Sequence, residues 1–203
     1  MEWGLIFEHY PLFLLGITNT LKLVLCSLLI GGLLAIPLAL ARAYRYPLLN
    51  GPVWLFTYVF RGTPLLIQTY LVYYGLAQFE VVRSSILWPF FSEAYWCALL
   101  VFSLNTAAYT TEILRGVITT TPPGEIEAAK ACGMSPYLRV RRIVLPSAYR
   151  RALPAYSNEI IFMLHSSVIA STITLLDILG AGRTLNAKYY LAYEGYIAAA
   201  VLY

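Results

Sequence analysis

Four charged residues, Lys22, Arg61, Glu112 and Glu159, stand inside otherwise apolar stretches. A charge at the centre of a bilayer costs roughly 2.5–3.5 kcal/mol on insertion scales, so such groups face a bundle interior or water and mark function. Each has a bland reading as well. Lys22 can snorkel or sit shallow. Arg61 can close an internal ion pair with Glu112 or Glu159. Glu112 lies three residues before Arg115, a spacing that suits a structural pair. Glu159 is the strongest candidate for a solute path. Asn158 precedes it, and His165-Ser166-Ser167 follow about a turn and a half later. At helical spacing Glu159, Phe162, Ser166 and Ile169 align, with Met163 and Ser167 beside them. That face offers a carboxylate at one level and hydroxyls above it. The opposing reading is a carboxylate kept for packing.

Catalytic chemistry lacks its parts. The sequence has no HExxH and no GxSxG, and His165 beside Ser166 on a helix makes a poor dyad because adjacent side chains point apart. His165 reads first as a hydrogen-bonded core residue, although an imidazole titrates near neutral pH and a mechanistic role stays open. His9 reads as interfacial. Cys26, Cys97 and Cys132 form no CxxC and indicate neither a disulfide framework nor a metal site.

The elements that position these residues are membrane spans. The 203 residues are 60% hydrophobic and 12% charged, with mean hydropathy +0.69, against about 25% charged in an average soluble domain. Seventeen Tyr and four Trp suit two water–lipid interfaces. Runs 12–41, 52–79, 94–111 and 152–176 are each close to the ~20 apolar residues a span requires. A fifth run, from about 195 to 203, is too short to cross, and the sequence is expected to continue beyond Tyr203. The runs do not alternate, which excludes barrel strands. Met1-Glu2-Trp3 is acidic, unlike the basic start of a secretory signal. Nine Lys and Arg fall in the 42–45 and 112–151 loops, against Arg83, Arg183 and Lys188 opposite. The positive-inside rule puts the 112–151 loop in the cytoplasm and the N-terminus outside. The net charge of +4 is therefore topology and not a nucleic-acid signal.

Within that loop, residues 121–150 read as two short helices. Thr121-Pro122-Pro123-Gly124 breaks the chain, and Glu125 and Glu127 favour a first turn. Gly133 suits a left-handed C-cap, and Ser135-Pro136 restarts a helix expected to end near Leu145-Pro146. Helices of this length are marginal alone, so they need a docking partner. A DNA-binding helix-turn-helix tethered by spans on both sides is a poor alternative. An ordinary basic loop is another.

Glu127-Ala128-Ala129, three residues, Gly133, nine residues, then Ile143-Val144-Leu145-Pro146 resembles the EAA motif of ATP-binding-cassette importer permeases. Gly16-Ile17-Thr18-Asn19-Thr20-Leu21, Phe60-Arg61-Gly62-Thr63-Pro64, Tyr109-Thr110-Thr111-Glu112 and Leu153-Pro154-Ala155-Tyr156-Ser157-Asn158-Glu159 extend the likeness over nearly the whole chain. They resemble the polar amino acid permeases, above all the M-type permeases of histidine, lysine, arginine and ornithine importers. The resemblance implies an all-α, polytopic, type I importer fold of about five spans, forming one transmembrane domain over residues 1–203. It implies a second permease (a relative rather than a copy), two ATP-binding subunits, a periplasmic binding protein and a bacterial inner-membrane location. It also implies that the loop is the coupling helix, with Glu127, Ala128, Ala129, Gly133, Leu145 and Pro146 meeting the ATPase.

No glycine is followed by lysine, so a P-loop is missing here, and ATP and Mg belong on the partner subunit. The resemblance further implies Lys-Asp where this chain has His165-Ser166. Losing that lysine while keeping Glu159 points to a basic amino acid as cargo, held by Glu159, Asn158, Ser166, Ser167 and His165. An ATP-independent channel or secondary transporter, an exporter and a scaffold without cargo are the rivals.

Overall fold

The computed structural model describes residues 3–190 and 192–203; Met1 and Glu2, part of the acidic N-terminal reading, lie outside them. Among the described residues the regular structure is helical: α1 (Trp3–Glu8), α2 (Tyr10–Ala43), α3 (Asn50–Gly62), α4 (Leu65–Tyr70), α5 (Glu80–Arg83), α6 (Trp88–Phe91), α7 (Ala94–Thr119), α8 (Pro123–Ala131), α9 (Pro136–Arg139), α10 (Leu145–Ser166), α11 (Ile178–Tyr189) and α12 (Ala192–Leu202). At 1.5 Å per residue the 34 residues of α2 extend about 50 Å, longer than the ~30 Å hydrocarbon core. Among the described residues, α2 and α7 are each long and apolar enough to cross a membrane, and the helical segments 136–173 and 178–189 make a third span if taken as one bent by 41°.

The architecture is built on α2 against α7. Gly31 permits their close approach: a Cβ there would lie 2.1 Å from Thr106 Cγ2 and 2.7 Å from the Ser103 carbonyl oxygen. Leu23, Val24 and Leu28 of α2 pack with Val101 and Phe102 of α7 and Met163 of α10 in one cluster. A second cluster, towards the 112–151 loop, joins Ala35 and Ala39 to Leu114, Ile118, Val144, Ala148 and Ala152. The small residues let three helices converge, as membrane helices without a hydrophobic drive between them require. Lys22 is exposed on the outside of the bundle.

Three expectations change. Run 52–79 is a broken element. Thr63 and Pro64 are extended (ψ 144° and 133°) between α3 and α4, and α4 continues through a π-helical turn, Leu71–Gly75, and a 3-10 turn, Leu76–Gln78. The proline disfavours helical backbone at Thr63. Secondly, the helix starting at Pro136 does not stop near Leu145-Pro146. It passes through a π-helical turn, Val140–Val144, into α10. The widened turn absorbs the clash and the missing N–H that Pro146 would impose on a regular helix. The second stub is thus the head of a long helix. Thirdly, α11 and α12 pack together where one short run was expected, and Arg183 and Lys188, expected in a loop, lie on α11.

Candidate functional site

α10 turns Glu159 toward α7. The carboxylate is buried, 6% exposed, and its Oε1 accepts a hydrogen bond from Thr106 Oγ1 at 2.9 Å. Thr106 is the residue that Gly31 lets close to α2, so a stack of residues from three helices holds the acid. Close by, Tyr109 of α7 meets Phe162 of α10, ring centroids 6.3 Å apart. The Arg61 guanidinium, at the end of α3, lies 5.2 Å from the Tyr109 ring centroid.

The row Glu159, Phe162, Ser166, Ile169 is not a single lining. It is the seam of α10: Glu159 and Met163 are buried, Phe162 is exposed and Ser166 is half-buried. Asn158 and His165 share the open side with Phe162, so His165 is not the core residue its apolar surroundings suggested. Ser167 is buried and donates to the Leu164 carbonyl at 2.6 Å, where the α-helix gives way to a 3-10 segment, Ser167–Ile173. That tightening removes Ile169 from the α-helical register.

The proposed pair of Arg61 with Glu112 does not form. Glu112 Oε2 accepts from Arg115 Nε at 2.6 Å, and its Oε1 accepts from Arg42 Nε and Thr57 Oγ1, both at 3.2 Å. Arg42 also donates to Asn50 Oδ1 at 2.8 Å. Two nearer guanidiniums thus outcompete Arg61, and the cluster clasps α2, α3 and α7. Glu112→Gln is expected to destabilise by about 2 kcal/mol, since two guanidiniums lose their carboxylate in a partly buried site. In differential scanning of the purified complex that is a fall of roughly 4–8 °C; an unchanged midpoint would make the clasp ornamental.

Sequence reasoning missed Thr106, Tyr109 and Asp177. The available signal for the first two was a run of hydroxyls on an uncharged span. Asp177 is fully buried and caps α11, accepting from the Gly180 N–H at 2.6 Å and from Tyr203 OH at 3.2 Å. Its signal was an Asp three residues before glycine at a helix start.

The 121–150 segment is built as a bracket. α8 ends in a Schellman motif: Met134 N–H reaches the Ala129 carbonyl at 3.1 Å and Gly133 N–H the Lys130 carbonyl at 2.9 Å, with Gly133 at φ 73°. Glu127 and Ala128 are exposed on it while Ala129 is buried. Leu145 is half-buried and Pro146 exposed. A cavity of about 650 Å³ opens between α8 and α10, lined among others by Ala128, Ala129, Arg142 and Pro146. Arg151 of α10 ties the bracket to the end of α7, donating to the Thr120 carbonyl and to Thr121 Oγ1, both at 3.0 Å.

Residues 27–203 match the family described as binding-protein-dependent transport system inner membrane component. The chain belongs to this family. It is 48% identical over 198 residues to the octopine transport system permease protein OccM of Rhizobium meliloti, covering 98% of this chain and 81% of that protein. It is 48% identical over 189 residues to the histidine/lysine/arginine/ornithine transport system permease protein HisM of Escherichia coli K12, covering 93% and 79%. Its structure superposes on a chain of an amino acid ABC transporter crystallised with histidines, at TM-score 0.86 and 31% identity, covering 100% of this chain and 91% of that one. A chain of the MetNI methionine transporter shares the fold at TM-score 0.74 and 20% identity. As a binding-protein-dependent permease the chain is an inner-membrane transport component of an ABC importer and not an enzyme.

Proposed function

We infer that this permease carries a basic amino acid inward by alternating access, with Glu159 facing the cationic side chain of the cargo. The observation that carries the reading is a carboxylate buried between α7 and α10 whose hydrogen-bond partner is a neutral hydroxyl. With Arg61 acting on it only from beyond ion-pair contact, such a charge is unfavourable in a membrane; a cationic cargo compensates it. Asn158 and His165 on the open side, with Ser166 at the seam and Ser167 behind it, would line the route. The similar permease of histidine, lysine, arginine and ornithine transport supports the cargo class.

In this reading residues 121–150 are the coupling segment. α8, with Glu127 and Ala128 outward, docks on an ATP-binding subunit, and that subunit binds the nucleotide and magnesium. Gly133 sets the turn, and Arg151 passes motion of the bracket to α7 and α10 together. The Lys and Arg distribution supports a cytoplasmic loop and a periplasmic N-terminus. The open side of α10 faces a second, related permease, and a periplasmic binding protein delivers the cargo.

The reading is tested by assembling the chain with its ATP-binding subunits, second permease and binding protein in vesicles. Arginine is expected to stimulate ATP hydrolysis and to be accumulated, and glutamine far less. Transport by this chain without ATPase subunits would favour the channel or secondary-transporter alternative. Gly133→Val forces a branched residue into the left-handed region, at a cost of about 1–2 kcal/mol. It is expected to lower coupled uptake roughly tenfold with the complex still assembled. Full coupling in that variant would remove α8 from the mechanism.

A further inference from the structure

The cargo of an amino acid permease has two charged ends, and the structure offers Glu159 for only one. Arg61 is exposed and, among the described residues, forms no ion pair. It stands at the end of α3, which enters from the loop after α2, and its charge acts on Glu159 without a contact ion pair between them. Its position is fixed. Asn105 Nδ2 and Gln68 Nε2 both donate to the Phe60 carbonyl, at 3.2 and 2.9 Å, holding the strand of chain that carries Arg61 against α7. Tyr109 OH donates to the Arg61 carbonyl at 3.4 Å, and its ring supports the guanidinium.

The two contacts, Thr106 with Glu159 and Tyr109 with Phe162, are three residues apart on both helices. Because α7 and α10 run antiparallel, the two contacts lie in one zone of the bundle, and the Arg61 charge acts on Glu159 from there. Beyond Arg61 a cavity of about 390 Å³ opens toward Glu112, lined also by Trp54, Thr57 and Tyr58. Arg42 and Arg115 are occupied by Glu112, which leaves Arg61 as the guanidinium able to take a new anion there.

We propose that Arg61, seated on Tyr109, receives the α-carboxylate of the cargo while Glu159 receives its cationic side chain, so that the permease itself selects α-amino acids over the corresponding amines. The planar guanidinium suits a bidentate carboxylate. A decarboxylated analogue would bring a second cation toward Arg61 and be rejected by like-charge repulsion. The inference rests on the reading of Glu159 as the partner of the cation.

The test uses the permease–ATPase complex in nanodiscs without the binding protein, so that selectivity of the binding protein does not enter. Direct binding of arginine and of agmatine, its decarboxylated form, is measured by calorimetry. The intact complex is expected to prefer arginine at least tenfold. Arg61→Gln is expected to weaken arginine at least tenfold, to leave agmatine within twofold or improve it, and so to erase the preference; Arg61→Lys is expected to restore part of it. Should Arg61→Gln fail to assemble, Tyr109→Leu removes the seat under the guanidinium and is expected to shift the ratio in the same direction. A preference unchanged in the variants, or absent from the intact complex while arginine binds, overturns the carboxylate role and leaves Arg61 as an assembly residue, for instance paired with an acid of the second permease. Failure of the intact complex to bind either compound instead overturns the basic-cargo reading, and this inference with it.

Discussion

Glu159→Gln is expected to lower arginine uptake by the assembled importer about 100-fold, equivalent to ~3 kcal/mol, the usual loss when one member of a buried charge pair is truncated. Glutamine is nearly isosteric, and its Oε1 can still accept from Thr106 Oγ1, the hydrogen bond that the glutamate makes at 2.9 Å. The fold and the α7–α10 contact are therefore preserved, and only the charge is removed. Basal ATP hydrolysis and complex yield should stay as they were, because Glu159 lies outside the 121–150 bracket proposed to meet the ATPase. Uptake of arginine that equals the unaltered importer would show that Glu159 serves packing alone, and the basic-cargo reading would fall. Equal loss for arginine and for a neutral amino acid would point to a blocked path rather than a lost counter-charge.

The second large effect is structural. Gly31→Leu is expected to prevent assembly of the α2–α7 core, at a cost of about 3 kcal/mol or more, since overpacking by a few methylenes in a core that can yield already costs about 1–3 kcal/mol. This core cannot yield: the added Cβ alone would stand 2.1 Å from Thr106 Cγ2, 2.7 Å from the Ser103 oxygen and 3.0 Å from the Ala107 nitrogen. Two of those three are backbone atoms of a continuous helix. Size-exclusion chromatography of detergent extracts should show a loss of the assembled species. Gly31→Ala is the graded version, and it reaches the site as well, since Thr106 faces Gly31 with its Cγ2 and Glu159 with its Oγ1. Thr106→Ser removes the methyl nearest the new Cβ and keeps the hydroxyl that holds Glu159. The double variant is therefore expected to recover part of the assembly and of the arginine uptake that Gly31→Ala loses. A Gly31→Leu chain that assembles normally would mean that α2 and α7 do not pack as described.

The same close approach explains why part of the site was unreadable in advance. Nothing in the local sequence distinguishes Thr106 from Thr110 or Thr111, all buried on α7. Only the crossing of α2, which has glycine at 31, and the rotation of α10 decide which hydroxyl meets the carboxylate. Likewise, Arg61 and Glu112 look like natural partners when both are assigned to spans. They do not pair because Arg115, one turn on, and Arg42, which comes from a helix 70 positions away in sequence, take Glu112 first. The expected stop at Leu145-Pro146 failed for a local reason: a proline can be accommodated by widening the preceding turn, and periodicity carries no signal for that.

The amino-acid sequence by itself determined the membrane environment, the helical class, the basic character of the 112–151 loop, the Gly133 cap, and the likeness to importer permeases. These follow from composition, charge counts and short-range spacing, which act within a few residues. Tertiary structure alone decided that α9 and α10 are one continuous helix, that Glu159 is inward and Asn158 and His165 outward, that Arg42 joins Arg115 on Glu112, and that Arg61 rests on Tyr109. Each depends on how helices rotate and cross, and in a uniformly apolar sequence no hydrophobic face fixes that rotation. It is set by where small residues allow backbones to meet and where the few polar groups find partners.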